Sequence, residues 1–576
     1  MKRIISIFLF ISLMGMVCMN VFAYSGKKTK DVPKVNVTMP FTKGLNLSTW
    51  LEPFGVSNAN STYFGKSDFE DIKSLGVEIL RIPIHFEEWS SGAPDYVIPE
   101  WLWKKIDDAI AWCTELEMYM IIDFHNDCNG KSKTRPDIES VLLKIWPQIA
   151  NRYKDSGKYV LYEIMNEPHM KSGNIQADLK KWGKIQGNIL KVIREIDKTH
   201  TVIVGAENWN SLDGLFTLPD YNDDNLIYNF HDYSPFLFTH QGASWTDIER
   251  LKNIPFPYVK EKMPPLPKNP TDSERWNYEN YKWASQEQVL VEPLNRIVDF
   301  ANTRNVALMC NEYGVYMNHA DNEERTNWYR MKAKWMEERG IVRVSWDYKG
   351  GFGVFNKGNG NFPEDLNTVL LEGMGFKIPP MEKRKKISWL EQANATGNYA
   401  IYKNAFADNI RIGGWVDSGK KKVDLQKIDY VGSDSYIYVP QAKAYNSIHL
   451  DFNNVCDFTS LVEQGKKLEF EVRTKQKDLS LNVYFKDKED KSAGKIGKEW
   501  RSGIFIRNDR VPADNQWHKI SVPLKEFVDY GAWDNDESRW YNAEKLFRWN
   551  KIESLVLDFA EIDVTSDICI RNIEIK

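Results

Sequence analysis

A chain of 576 residues exceeds what one hydrophobic core serves, so two or three domains are expected. A formal net charge of -4 over that length leaves no electrostatic footprint for nucleic acid or an anionic membrane, and both partners are set aside. Aromatic side chains stand out, with 21 Trp, 26 Tyr and 28 Phe, a supply that suits a large core and also flat ligands with polar rims, sugar rings among them.

The first residues read as an export signal. Lys2 and Arg3 form a basic start, Ile4 to Val17 an apolar stretch, and Val21-Phe22-Ala23 a cleavage site, so the signal is expected to span 1–23 and to be removed after Ala23. A lipid-modified Cys18 is the alternative, but Met16-Val17 lacks the small residue such sites carry before the cysteine. No other segment reaches the roughly 18 uninterrupted apolar residues of a membrane span. Cys113, Cys128, Cys310, Cys456 and Cys569 then remain, an odd set without a CxxC pair, so neither disulfides nor a zinc site is expected. Cys310 reads as a small apolar core residue.

After a polar leader (24–40), residues 41–376 alternate strand-like runs with amphipathic helices. Strands are expected over 43–47, 77–82, 118–124, 159–165, 201–205, 226–230, 306–309 and 341–345. Helical spacing over 99–116 aligns Leu102, Ile106, Ala109, Ile110, Cys113 and Leu116, and over 179–196 it aligns Trp182, Ile185, Ile189, Val192, Ile193 and Ile196. This alternation predicts an α/β fold, a (β/α)8 TIM barrel. The Pro-rich, aromatic stretch 235–270 reads as an insertion on its active face.

Two stretches carry chemistry. YVLYEIMNEP (159–168) and VALMCNEYG (306–314) are both apolar runs ending in Asn-Glu, and a barrel gathers its catalytic groups at the C-terminal ends of its strands. Those positions give Arg81 in ILRIP, His125 in IIDFHND, Asn166 and Glu167, Glu207 and Trp209 after IVGA, His231 and Tyr233 in NFHDY, Glu312, and Trp346 in VSWDY. The set resembles the family 5 glycoside hydrolases, (β/α)8 retaining enzymes that include endo-β-1,4-glucanases and β-mannanases. Arg81, His125, Asn166, Glu167, His231, Tyr233, Glu312 and Trp346 match that family's eight recurrent active-site positions in order, over about residues 40–376.

The resemblance implies a nucleophile, Glu312, and an acid/base, Glu167, with carboxyl groups about 5–5.5 Å apart. Glu167 then starts protonated and Glu312 ionised. Arg81 favours the Glu312 anion, Tyr233 donates to it with His231 alongside, and Asn166 holds the sugar 2-hydroxyl. His125 and Trp346 would bind the sugar, Trp346 as a flat platform. Each also has a structural alternative: an ion pair at a strand end for Arg81, a satisfied core histidine for His125 or His231, packing for Trp346. Glu207, without a preceding Asn, is assigned to substrate contact or support. Trp50, Trp89, Trp209, Phe238, Trp245 and Phe352 are the expected liners of a long cleft, with no metal or cofactor required. PFLFTHQGASW (235–245) and WDYKGGFGVF (346–355) look like those of the family's β-1,4-glucanases, some of which accept mannans.

KIPPMEKRKK (377–386) opens a linker, 377–387. Residues 388–576 show short alternating strands over 435–439, 447–452, 467–473, 480–485, 503–506, 517–522, 552–559 and 567–575, a jelly-roll-like β-sandwich. This part resembles carbohydrate-binding modules, with Trp415, Trp500, Trp533, Trp540 and Trp549 as stacking candidates; a sandwich that only braces the barrel is the alternative. The expectation is an exported, monomeric, retaining endo-β-1,4-glucanase acting on a polysaccharide. A β-mannanase or dual enzyme is the nearest rival, and a non-catalytic glycan-binding protein the distant one.

Overall fold

The computed structural model describes residues 32–48, 50–52, 64–125, 133–358, 360–381, 388–403, 405–407, 409–415, 427–429, 434–439, 441–534 and 537–576. The export signal, Cys18, part of the polar leader, Cys128 and most of the linker lie outside the described residues.

Eight strands, β1 (Lys43–Asn46), β2 (Ile79–Ile84), β3 (Tyr119–Phe124), β4 (Val160–Glu163), β5 (Thr201–Gly205), β6 (Leu226–His231), β7 (Ala307–Glu312) and β8 (Val342–Ser345), pair in parallel in chain order. β8 pairs back onto β1, closing the barrel. Each is followed by a helix: α1 (Lys66–Ser74), α2 (Glu100–Glu115), α3 (Ile138–Tyr153), α4 (Ile175–Ile196), α5 (Leu212–Leu215), α6 (Glu287–Arg304), α7 (Asn322–Arg339) and α8 (Thr368–Gly373). The strands lie where the sequence predicts, but β2, β6 and β7 reach two, one and three residues further, so that His231 and Glu312 are themselves strand residues, and β4 ends at Glu163, two residues short of the expected end.

Strand alternation sorts the side chains. Ile79, Ile121, Leu161, Ile203, Ile227, Met309 and Val344 fill the interior as one apolar cluster capped below by Phe41. Two residues further along the same strands come Arg81, Asp123, Glu163, Asn229 and Asn311, all buried. The period of two that sends an isoleucine inward in the lower layer therefore sends a polar group inward in the upper one. A larger cluster, including Leu102, Trp146, Trp182 and Trp328, fills the space between strands and helices. Helix Phe236–Thr239 lies within the expected insertion, and helix Asp272–Ala284 follows it before α6.

Beyond residue 387 a capped helix, Trp389–Thr396, precedes strands that the alternation signal did not all reveal. They are β9 (Ala400–Lys403), β10 (Ala405–Phe406), β11 (Ile410–Trp415), β12 (Lys427–Asp429), β13 (Asp434–Val439), β14 (Asn446–Cys456), β15 (Lys467–Thr474), β16 (Leu481–Asp487), β17 (Trp500–Ile506), β18 (His518–Pro523), β19 (Val528–Asp534), β20 (Arg539–Tyr541), β21 (Ile552–Phe559) and β22 (Ile568–Ile575). One antiparallel sheet runs β10-β9-β22-β13-β12, with β15 joined to β22 and β18 to β15, and the other runs β11-β14-β21-β16-β17-β19-β20. Their facing sides enclose a separate core containing Trp389, Leu450, Phe470, Phe485 and Leu557, a β-sandwich.

Candidate active site

Arg81 is the hub of the barrel mouth. Its Nε and Nη2 donate to the two oxygens of Glu163 at 2.6 and 3.0 Å, and its Nη1 donates to Glu312 Oε1 at 2.8 Å and Asn46 Oδ1 at 3.0 Å. Its Nη2 also reaches Asn166 Oδ1 at 2.9 Å and Asp123 Oδ2 at 2.9 Å. Burial works against its charge, but Asp123, Glu163 and Glu312 outweigh it and keep the guanidinium protonated. Buried without such partners, it would cost several kcal/mol.

The carboxyl pair meets at His231. Its Nδ1 lies 2.7 Å from Glu167 Oε1 and 3.5 Å from Glu312 Oε2, and Tyr233 Oη donates to Glu312 Oε2 at 3.0 Å. The neighbouring residue fixes the tautomer. Asn311 Nδ2 donates to Glu163 Oε2 at 2.7 Å, so Asn311 Oδ1 must be the acceptor facing His231 Nε2 at 2.8 Å, and Nε2 carries a hydrogen. Nδ1 is thereby turned to the carboxyl groups. Burial lowers the proton affinity of His231, but the charges of Glu312 and Glu167 raise it further. Burial likewise raises Glu167, but the hydrogen bond and charge of His231, with His169 and His125, bring it below the ordinary carboxylate range. The mechanism alone leads one to expect a protonated Glu167; the resting site instead pairs its carboxylate with His231.

Two consecutive residues, Asn311 and Glu312, both serve the site although strand alternation sends neighbours to opposite faces. A β-bulge resolves this: Phe230 pairs with Cys310 but His231 with Glu312, so the register shifts by one residue there. Glu167 has φ of 41°, in the left-handed region that is costly for a glutamate.

His125 donates or accepts through Nδ1 at 2.7 Å from Asp123 Oδ2, and its ring stacks on Trp346, centroids 5.8 Å apart at 13°. Burial, helped by Arg81, lowers His125 to about 4 and so leaves it neutral, while burial raises Asp123 to about 7 against the pull of Arg81. Burial and the Glu312 charge keep Tyr233 a protonated donor.

Arg81, His125, Asn166, Glu167, His231, Tyr233, Glu312 and Trp346 thus converge. Others do not. Trp50, 1% exposed, packs edge-on to Phe64 and Phe69, and Phe238, 0% exposed, packs on Phe256, so both rings belong to the core rather than to a cleft wall. Trp89 is buried likewise, donating to Leu51 O. Trp245, 60% exposed, stands beside Tyr316 and Phe352, and Trp209 stacks on His169, 4.9 Å at 9°. Glu207 is buried beneath the loop that follows Glu167, where it accepts from Met170 N. Missed in the sequence were Asn46, Asp123 and Glu163, whose signal is a polar residue at an inward position of an otherwise apolar strand; Asn311 was seen as part of its Asn-Glu strand end but given no role. Glu167, His231 and Glu312 also form, among the described residues, the group with metal-ligand spacing, one atom from each within 4.8 Å of the others. Its histidine nitrogen is already engaged by Glu167.

A closed parallel barrel whose strand ends bring two carboxyl groups to one histidine, with a stacked Trp346–His125 pair also at its strand ends, is the arrangement of a glycoside hydrolase. Residues 40–351 match the family described as Cellulase (glycosyl hydrolase family 5), and the chain belongs to that family. Residues 398–576 match Carbohydrate binding domain 30. The chain is similar to Endoglucanase 3 of Fibrobacter succinogenes, 28% identical over 358 residues, which are 58% of this chain and 53% of that protein, so it spans about half of that relative's length. It is similar to Endoglucanase C of Acetivibrio thermocellus, 28% identical over 57% of this chain and 98% of that protein. Cellodextrinase A of Ruminococcus flavefaciens is 26% identical over 57% of this chain and 89% of that protein.

Proposed function

We propose that the chain is a retaining, endo-acting β-1,4-glucan hydrolase in which Glu312 is the nucleophile and Glu167 the acid/base. The observation that carries this is the shared contact with His231: the two carboxyl groups approach within 4.8 Å, nearer to the roughly 5–5.5 Å of retaining enzymes than to the roughly 6.5–9.5 Å that leaves room for a water. In the first step Glu312 bonds to the anomeric carbon, the glycosidic bond breaks, and the leaving oxygen takes a proton from Glu167. That proton lies in the 2.7 Å hydrogen bond between Glu167 and His231 Nδ1, and it passes to Glu167 as the sugar displaces water. In the second step water attacks the same carbon, gives its proton to Glu167, and releases Glu312. Asn166, held by Arg81, presents its amide to the 2-hydroxyl, and Trp346, flat against His125, carries the ring in the cleaving subsite.

Internal attack on glucan is supported by the names of the endoglucanase relatives and by Trp245 and Phe236 (43% exposed), which extend an aromatic wall beyond the catalytic pair. Mannan or mixed action on the same machinery is the second reading, and an intact carboxyl pair speaks against a non-catalytic protein. The sandwich is proposed to bind glycan through β19 and β20, where Trp533 and Trp540 face each other across the strands, 41% and 40% exposed, and Trp540 stacks on Tyr530. Trp500 is buried, Trp549 packs on Phe485, and the side chain of Trp415 lies outside the described residues. Export by the N-terminal signal, domain limits at 41–376 and 388–576, and a monomeric state belong to the same proposal.

Glu312→Gln is expected to lower hydrolysis of soluble β-glucan by several orders of magnitude, and proton NMR of the first product is expected to show the β-anomer. Near-normal activity in the variant, or an initial α-anomer, would refute the reading.

A further inference from the structure

The loop that follows Glu167 is gripped from outside at successive residues. Pro168 O accepts from Trp209 N at 3.2 Å, His169 N donates to Thr134 Oγ1 at 2.8 Å, and Met170 N donates to Glu207 Oε1 at 2.7 Å. His169 in turn reaches back through Nδ1 to Glu167 O at 2.5 Å, and its ring lies flat on Trp209. Trp209 is presented by a left-handed run, Asn208, Trp209 and Asn210 having φ of 67°, 58° and 51°. A glutamate held in the left-handed region, as Glu167 is, persists only where its surroundings over-determine it. Glu207 supplies one of those constraints from the end of β5, with 2% of its surface exposed. Its second oxygen, Oε2, is enclosed without a hydrogen-bond partner.

We infer that Glu207 is a positioning residue for Glu167, acting through the Met170 amide. This rests on the assignment of Glu167 as acid/base. The charged and titratable groups around Glu207 are Asp178 of α4, which itself accepts from Ser172 N at 2.9 Å, His169 and Lys171 of the loop, and His231 of β6 beyond Asn210. Burial, with Asp178 adding to it and the Met170 amide opposing it, raises Glu207 to about 7. The Met170 amide donates to either form of the carboxyl, so the grip on the loop is kept in both.

The test compares Glu207→Ala and Glu207→Gln with the wild-type chain on soluble β-glucan and on 2,4-dinitrophenyl β-cellobioside, whose leaving group departs without an acid. In Glu207→Ala, kcat/KM on the glucan is expected to fall about 10- to 100-fold, with kcat/KM on the aryl glycoside nearly unchanged. Glu207→Gln, which keeps an acceptor for Met170 N, is expected to retain most of the activity that Glu207→Ala loses. Equal losses on the two substrates in Glu207→Ala, or a Glu207→Gln variant as impaired as Glu207→Ala, would overturn the inference. Glu167→Ala serves as the reference. If it too lost activity equally on both substrates, the acid/base assignment would fall, which separates that failure from a failure of Glu207 alone.

Discussion

Arg81 touches Asn46, Asp123, Glu163, Asn166 and Glu312 from a fully buried position, so one guanidinium sets the geometry of both Glu312, the proposed nucleophile, and Asn166 beside Glu167, the proposed acid/base. A lysine, a point charge without the planar fork, cannot serve these directions together. Asp347 shows the opposite case, a buried carboxyl without a cation at hydrogen-bond distance. Its Oδ2 accepts from Ser48 Oγ, its Oδ1 has no hydrogen-bond partner, and burial raises it to about 8. The unfolded chain ionises this group above about pH 4, so unfolding releases a proton and stability is lost as pH rises from about 4 to about 8. Asp347→Asn keeps the acceptor and removes that loss. It is expected to raise the melting temperature at pH 8 and leave it unchanged at pH 4, by calorimetry; an equal effect at both pH values would count against the assigned shift. Of these residues, Arg81, Asn166 and Glu312 were legible as motifs at strand ends, whereas the role of Asp347 depends on burial that no local pattern reports.

At the scale of elements, the barrel works because neighbouring strands hold a register that stacks polar groups in one layer. Gly44 pairs with Ile79 and Asn46 with Arg81, and a Cβ on Gly44 would lie 2.1 Å from the Ile79 carbonyl oxygen. Gly44→Ala must therefore push β1 away from β2, two residues below the Asn46–Arg81 contact. It is expected to cost about 1–3 kcal/mol or more in urea denaturation and to reduce kcat, and a variant of wild-type stability would show that the strands can spread freely. The bulge between β6 and β7 belongs to this scale too. The sequence shows Asn311 and Glu312 side by side, but the shift that lets both face the site exists only once β7 lies against β6.

On the scale of the whole molecule, barrel and sandwich keep separate cores, and among the described residues the partners of Arg81 all come from the barrel. A chain ending at residue 387 is therefore expected to hydrolyse soluble β-glucan at the full-length rate while losing retention on insoluble cellulose in a pull-down. Unchanged retention would leave the sandwich as a brace. What the sequence by itself determined is the order of strands and helices, the barrel, the family resemblance and the two Asn-Glu strand ends, because these follow from periodicities of two and of about 3.6 and from motifs a few residues long. What only the tertiary structure decided is how those ends meet. Closure of β8 onto β1 puts Glu163, Asp123 and Asn46 around one arginine, the tautomer of His231 follows from Asn311, and Glu207, open in the sequence between substrate contact and support, lies buried beneath the loop after Glu167. Trp50 and Phe238 carry the same lesson in reverse. An aromatic near a strand end reads alike whether it faces solvent or core, and only the packing around it, which comes from distant parts of the chain, tells the two apart.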